Sequence, residues 1–194
     1  MKKTLASLVT ALSLGMGCAH STTEAEYNYG IQYSHKDSMY PEEMLSLHGV
    51  SVRQNLDEHV VGLDVFYGER KSTRFEDEIT VSVITLPVIG TTTDYVVKIS
   101  PYVERKLLDM KVCDYFSFNL GVGAGVEVKV TASGTEFNID GNEMGSLPSG
   151  ISVEGSAFLH ARTGVQIWKI PLNYTFRADH NGIITMFVSG GYEF

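Results

Sequence analysis

The most regular stretch of the chain lies at residues 116–130, where apolar and non-apolar positions alternate without a break. Phe116, Phe118, Leu120, Val122, Ala124, Val126, Val128 and Val130 form one row, and Ser117, Asn119, Gly121, Gly123, Gly125, Glu127 and Lys129 form the other. Successive side chains of a strand point to opposite faces, so a period of two predicts a β-strand with one apolar and one polar face. A helix, with its period of 3.6, would mix the two rows.

The same period recurs along the chain. Tyr27, Tyr29, Ile31 and Tyr33 alternate with Asn28, Gly30, Gln32 and Ser34. Residues 44–53 read as a second strand, blurred at Gly49, where a bulge is expected. Val61, Leu63, Val65 and Tyr67 then oppose Gly62, Asp64, Phe66 and Gly68, and residues 79–89 and 95–105 add two candidates separated by GTTTD. Val153, Gly155, Ala157, Leu159, Ala161, Thr163, Val165 and Ile167 alternate with Glu154, Ser156, Phe158, His160, Arg162, Gly164 and Gln166. Leu172, Tyr174 and Phe176 precede the closing strand at 182–194. The segments between, at 36–43, 54–59, 69–78, 131–150, 168–171 and 178–181, read as loops or turns from their charge, Gly, Pro and Asn content.

That closing strand carries Ile184, Met186, Val188, Gly190, Tyr192 and Phe194 on one face. It resembles the final strand of bacterial outer-membrane β-barrels, which typically ends in Phe with an aromatic two residues earlier. Together with length and strand rhythm, the resemblance extends to the small barrels of the OmpA and OmpX type. It implies an all-β fold, a transmembrane antiparallel up-and-down β-barrel too narrow for a solute channel. It also implies that Val188, Gly190, Tyr192 and Phe194 form the insertion signal read by the barrel-assembly machinery. The pattern gives nine strand candidates, whereas bacterial single-chain barrels have an even number. Eight strands are expected, with one of 79–89 or 95–105 absorbed into a hairpin or a longer strand, and ten as the alternative.

A membrane barrel turns its apolar rows toward lipid and its polar rows inward. Mid-strand Asp64 cannot face hydrocarbon. Bare glycines in the polar row of 116–130 suit a narrow lumen better than a wetted sheet. By parity the lumen network comprises Asp64, Lys98, Glu104, Glu127, Lys129, Glu154, His160, Arg162 and Arg177, paired charges that satisfy one another. The turn at 168–171 falls on the periplasmic side and the 131–150 loop on the extracellular side.

Composition narrows the classes further. Fifteen Lys and Arg stand against 23 Asp and Glu, a net charge of −8, which argues against nucleic acid as a partner. Residues 1–19 have a basic start, an apolar core and small residues at Gly17 and Ala19, the layout of a signal peptide cleaved after Ala19. Acylation at Cys18 is the rival reading, weakened by Gly15 where lipoprotein signals usually carry Leu. The barrel domain then spans 20–194, and no later run of apolar residues is long enough for a helical span. With Cys18 removed, Cys113 has no disulfide partner. The expected partners are outer-membrane lipid and lipopolysaccharide, and the expected state is a monomer.

An enzyme is the second class. Barrel hydrolases such as the lipid A deacylase PagL carry His and Ser two residues apart on one face of a late strand, with an acid to orient the base. Here His160 and His180 lack a Ser at that step, while Ser46 and His48 stand in reversed order on an early strand with no acid placed by the sequence. A metal or cofactor is not expected: Asn138, Asp140 and Asn142 suggest a calcium loop, yet Glu143 replaces the required Gly and no Glu closes it. A secreted lipocalin-like binder with an apolar interior is the third class.

Overall fold

The computed structural model describes residues 22–34, 43–81, 84–139 and 142–194. The leader at 1–19 and the expected loop at 36–43, except Glu43, which begins β2, lie outside the described residues, as does Asp140. Eight strands form: β1 (Thr22–Ser34), β2 (Glu43–Asn55), β3 (His59–Val81), β4 (Ile84–Cys113), β5 (Phe116–Ile139), β6 (Asn142–Ile167), β7 (Ile170–Asp179) and β8 (Ile183–Glu193). Each pairs antiparallel with the next, and β8 pairs with β1, closing an up-and-down barrel.

The pairing fixes the barrel's size. From Arg162 on β6, partners run through Thr175, Phe187, Gly30, Leu47, Gly68, Val96 and Thr131 back to Ser152, ten residues along the same strand. A stagger of ten over eight strands tilts each strand by about 40° from the barrel axis. An interior of this width is filled by side chains. The walls alternate accordingly: Val103, Val126, Leu159 and Val188 are more than half exposed on the outside. Asp64, Lys98, Ser100, Arg162 and Arg177 are buried inside.

The two ends of the barrel differ. At the end bearing both Thr22 and Glu193 the links are short, Leu56–Glu58, Asp114–Tyr115 and Trp168–Lys169. Trp168 takes a positive φ of 58°, and its N–H donates to the Tyr115 carbonyl at 2.8 Å, tying two of these turns together. At the opposite, raised end β3 to β6 extend well past their neighbours, with 23, 30, 24 and 26 residues against 10 to 13 in the other four. The link there between β7 and β8 is tight. Asp179 Oδ1 accepts the N–H groups of Asn181 and Ile183, both at 2.8 Å, and Gly182 supplies the left-handed φ of 76° that the turn needs.

Four expectations change. Residues 69–78 are not a loop but part of β3, laddered to β4 as far as Val81↔Ile84. Residues 131–150 are two strands around 140–141 rather than one long loop, because β4 and β6 offer β5 a ladder partner on each side. Composition reads such stretches as turns; cross-strand hydrogen bonds override it. The candidate at 79–89 is divided between β3, which ends at Val81, and β4, which begins at Ile84, so its second half joins 95–105 in β4, and GTTTD continues the strand. Gly49 carries no bulge, since both its ladders keep register.

Candidate functional site

The interior is stratified along the barrel axis, and the order follows from which residue type each strand turns inward at each level. Toward the raised end, Leu45 and Leu47 of β2, Phe66 of β3, Val96 of β4 and Phe187 of β8 form a buried apolar cluster. The rings of Phe66 and Phe187 stack with centroids 4.4 Å apart and planes 15° from parallel. This cluster makes the interior apolar at that level.

Directly below it lies a layer of charge. The Arg177 guanidinium sits over the Phe158 ring at 4.1 Å and over Phe187 at 5.2 Å, and it pairs with Asp64. Those contacts join the apolar and ionic layers. Lys98 donates to Glu127 at 2.6 Å, and Ser100 donates to the other oxygen of the same carboxylate at 3.2 Å. Arg162 pairs with Glu26, which also accepts from Asn173 at 2.8 Å and Ser189 at 3.2 Å. Arg53 is the hub of the lower half. Its Nη1 donates to Glu24 at 3.1 Å, its Nη2 to both oxygens of Glu104 at 3.1 and 3.0 Å, and its Nε to the Tyr102 hydroxyl at 2.9 Å. His160 Nε2 lies 3.1 Å from Glu104.

Carboxylate and guanidinium groups this deeply buried are stable only when their charges are paired and their hydrogen bonds met. The charges are paired, and most of the hydrogen bonds are met. Asp64 Oδ1, His160 Nδ1, Arg162 Nε and both Nε and Nη1 of Arg177 have no hydrogen-bond partner, and those four residues border a cavity of about 10 Å³, room for one water. Nearer the termini a vestibule of about 170 Å³ opens, lined by Glu24, Arg53, Glu104, Lys106, Asp109 and Glu193.

The three glycines of β5 have a steric role here. A Cβ on Gly121 would stand 2.3 Å from Glu104, one on Gly123 2.5 Å from His160 and one on Gly125 2.5 Å from Phe158. Their bare backbone makes the room in which those side chains lie across the lumen.

Of the nine residues expected inside, Asp64, Lys98, Glu104, Glu127, His160, Arg162 and Arg177 are buried there. Glu154 requires a correction. It pairs with Lys129 at 2.8 Å, but its side chain is 61% exposed and Lys129 is only partly covered. Parity gave the face correctly and the level wrongly. β6 first meets β7 at Phe158↔Asp179, so at Glu154 the wall is incomplete and the inner face meets water. Sequence reading missed Arg53, Glu24, Glu26, Tyr102 and Asn173. Glu26 shares parity with Asn28 and Gln32, a signal that was there to find; Arg53 stood at the end of a blurred strand.

Ser46 and His48 point outward, not into the lumen. The His48 ring lies between tyrosines, with Nδ1 at 2.9 Å from the Tyr27 hydroxyl and its centroid 5.0 Å from that of Tyr29. Val188, Gly190, Tyr192 and Phe194 occupy the outer row of β8 and its extension, where the Phe194 N–H donates to Thr23 at 2.8 Å. Among the described residues no group of three or more His, Cys, Asp or Glu is placed to hold a metal ion, and no helix is long and apolar enough to cross a membrane.

A closed eight-stranded barrel with charge buried inside and aliphatic side chains exposed outside is the architecture of a small transmembrane β-barrel. No family model matches the chain, and no curated protein matches it. Among solved structures it is similar to Ail, the attachment invasion locus protein of Yersinia pestis, in complex with the heparin analogue sucrose octasulfate. Identity there is 14% over 91% of this chain and 100% of that one, with a TM-score of 0.44. The N-terminal β-barrel domain of Pseudomonas aeruginosa OprF is 15% identical over 89% of this chain and 97% of that one, TM-score 0.47. Neisserial surface protein A is 12% identical over 92% and 98%, TM-score 0.46.

Proposed function

We propose that the chain is a non-enzymatic outer-membrane barrel of a Gram-negative bacterium, closed to solutes and presenting its raised sheet outside the cell. One observation carries this reading: the burial pattern is inverted, with ionic side chains sealed inside and Val, Leu, Tyr and Phe exposed around the outside. In water such an exterior would aggregate; in a bilayer it is the low-energy surface.

The short links then face the periplasm, as do Thr22 of β1 and Glu193 of β8, and the raised β3 to β6 sheet stands in the medium. Among the described residues, the edge of β3 beyond Glu69 has no pairing to β2, and the edge of β6 beyond Phe158 has none to β7. Such edges offer N–H and C=O groups to an extended partner strand. Surface interaction through this sheet is the function the geometry supports. The outer row of β8, ending in Tyr192 and Phe194, serves as the recognition strand for the barrel-assembly machinery.

Fractionation followed by electrophoresis with and without boiling tests the reading. The chain should partition with outer membranes, need detergent for extraction and migrate faster unboiled. A chain soluble without detergent and indifferent to heating would sink it. The face assignment has its own test. Val122→Lys, on the lipid side of β5, should cost about 2 to 4 kcal/mol in a bilayer unfolding titration; no loss would mean that the faces are inverted.

A hydrolase acting on lipid is the second reading. It draws on one observation, that β3 sets exposed Glu69 directly across from Ser46, near His48, on the outer face. Against it, His48 Nδ1 is engaged by a phenol rather than a carboxylate. Release of fatty acid from lipopolysaccharide by the wild type, lost in Ser46→Ala, would favour it.

A further inference from the structure

The outer wall is built mostly from Val, Leu, Ile, Ala, Met, Tyr and Phe, and β2 interrupts it with Ser46 and His48. The register sets His48 between Tyr29 of β1 and Tyr67 of β3, and Ser46 between Ile31 and Glu69. Tyr27, Tyr29 and Tyr67 are all about half exposed, so the four rings form an open aromatic surface with a polar track through it. The Tyr27 hydroxyl and His48 Nδ1 lie 2.9 Å apart, which leaves Nε2 as a polar atom on the outer face of the barrel. A ring nitrogen facing hydrocarbon without a hydrogen-bond partner is costly. His48 lies roughly 5 Å deeper than Ser46 along the barrel axis, from the strand rise and tilt. Polar groups are therefore presented at two depths, at the level of Ser46 and Glu69 and again at His48.

We infer that this track, Ser46 and His48 framed by Tyr27, Tyr29 and Tyr67, is a binding site for an outer-leaflet glycolipid whose acyl chains carry hydroxyl, amide or ester groups. A lipid with a single belt of ester carbonyls at the headgroup boundary meets Ser46 but leaves Nε2 without a partner. A lipid substituted further down its chains meets both. The aromatic faces cover the chains on either side, and the Tyr27 hydroxyl engages Nδ1, leaving Nε2 to the lipid. The inference rests on the membrane orientation proposed above, in which the raised end, and with it this half of β2, lies in the outer leaflet.

The test uses the full barrel in lipid nanodiscs containing either lipopolysaccharide or phosphatidylglycerol. It reads the ¹⁵N signals of the histidine rings and, by mass spectrometry, the lipid retained after detergent extraction. Lipopolysaccharide should shift the His48 ring signal while phosphatidylglycerol leaves it in place. His48→Leu should lower lipopolysaccharide retention about fivefold, the effect of one net hydrogen bond. Tyr27→Phe, which keeps the ring and removes the hydroxyl at Nδ1, should lower it by less. Heat-dependent mobility, read first on each variant, shows that the barrel is folded and membrane-borne. Failure of the wild type at that step overturns the orientation itself. A folded His48→Leu barrel with unchanged lipopolysaccharide retention, an equal shift in both lipids, or disulfide-linked dimers of a His48→Cys variant would each overturn the lipid site.

Discussion

Two sets of ion pairs in this barrel lie at similar distances and differ in how far water reaches them. Inside, Arg53 joins Glu24 and Glu104, and no partner is more than a tenth exposed. At the rim of the raised sheet, Arg70 meets Asp94 at 2.6 Å and Lys129 meets Glu154 at 2.8 Å; Asp94 is itself buried, but Arg70 is partly exposed and Glu154 is open to water. Water screens the rim pairs and leaves them worth little, whereas each interior charge is held in place only by its partners. Geometry alone does not rank these contacts; the completeness of the wall around them does.

The comparison breaks most visibly at its buried extreme. Arg53→Met removes the cation shared by Glu24 and Glu104 and the donor to Tyr102, and should cost about 3 to 5 kcal/mol in unfolding by urea from lipid vesicles. A cost under about 1 kcal/mol would mean that water reaches the layer freely and that interior and rim do not differ. Gly123→Val asks whether the interior is full. Its first side-chain carbon would stand 2.4 Å from the Val103 carbonyl oxygen and 2.5 Å from His160. A loss of about 1 to 3 kcal/mol is expected in the same titration.

Rim substitutions should do less. Hydrogen bonds from Ser133 and Arg70, with the charges of Arg70 and Lys129, outweigh burial and hold the Asp94 carboxyl below its usual range. The folded state thus keeps Asp94 ionised to lower pH than the unfolded chain does. Its contribution is complete above the unfolded carboxylate pKa and is lost as pH falls through the lowered folded value. Asp94→Asn should accordingly cost about 0.5 to 1 kcal/mol at neutral pH, and flatten the acid limb of a stability profile. Glu154→Gln should be the mildest, about 0.2 to 0.5 kcal/mol, and vanish in high salt, where the Arg53 effect should persist.

Much of this organisation was legible in the residues. The unbroken alternation at 116–130 identifies a strand and both its faces, and the expected eight strands match the barrel. The closing strand supplies the parity by which the expected ends of the other strands are counted. Inward-facing Asp64, Glu127 and Arg162 could be read from period two, because a strand has only two faces. The long hairpins were not legible: 69–78 and 131–150 have the composition of loops, and only pairing with neighbours distant in sequence makes them strands. The level of Glu154 was hidden for a related reason, since parity reports direction and says nothing about where the wall ends.

By itself, then, the sequence determined which residues alternate and which face of each strand is polar, because these depend on local geometry with a fixed period. The tertiary structure alone decided that Arg53 binds two carboxylates from β1 and β4, that Leu47, Phe66 and Phe187 meet in one apolar cluster, and that Glu69 stands across from Ser46. Each of those contacts depends on the stagger of ten residues around the ring. That stagger is a property of all eight strands closed together, and no single strand encodes it.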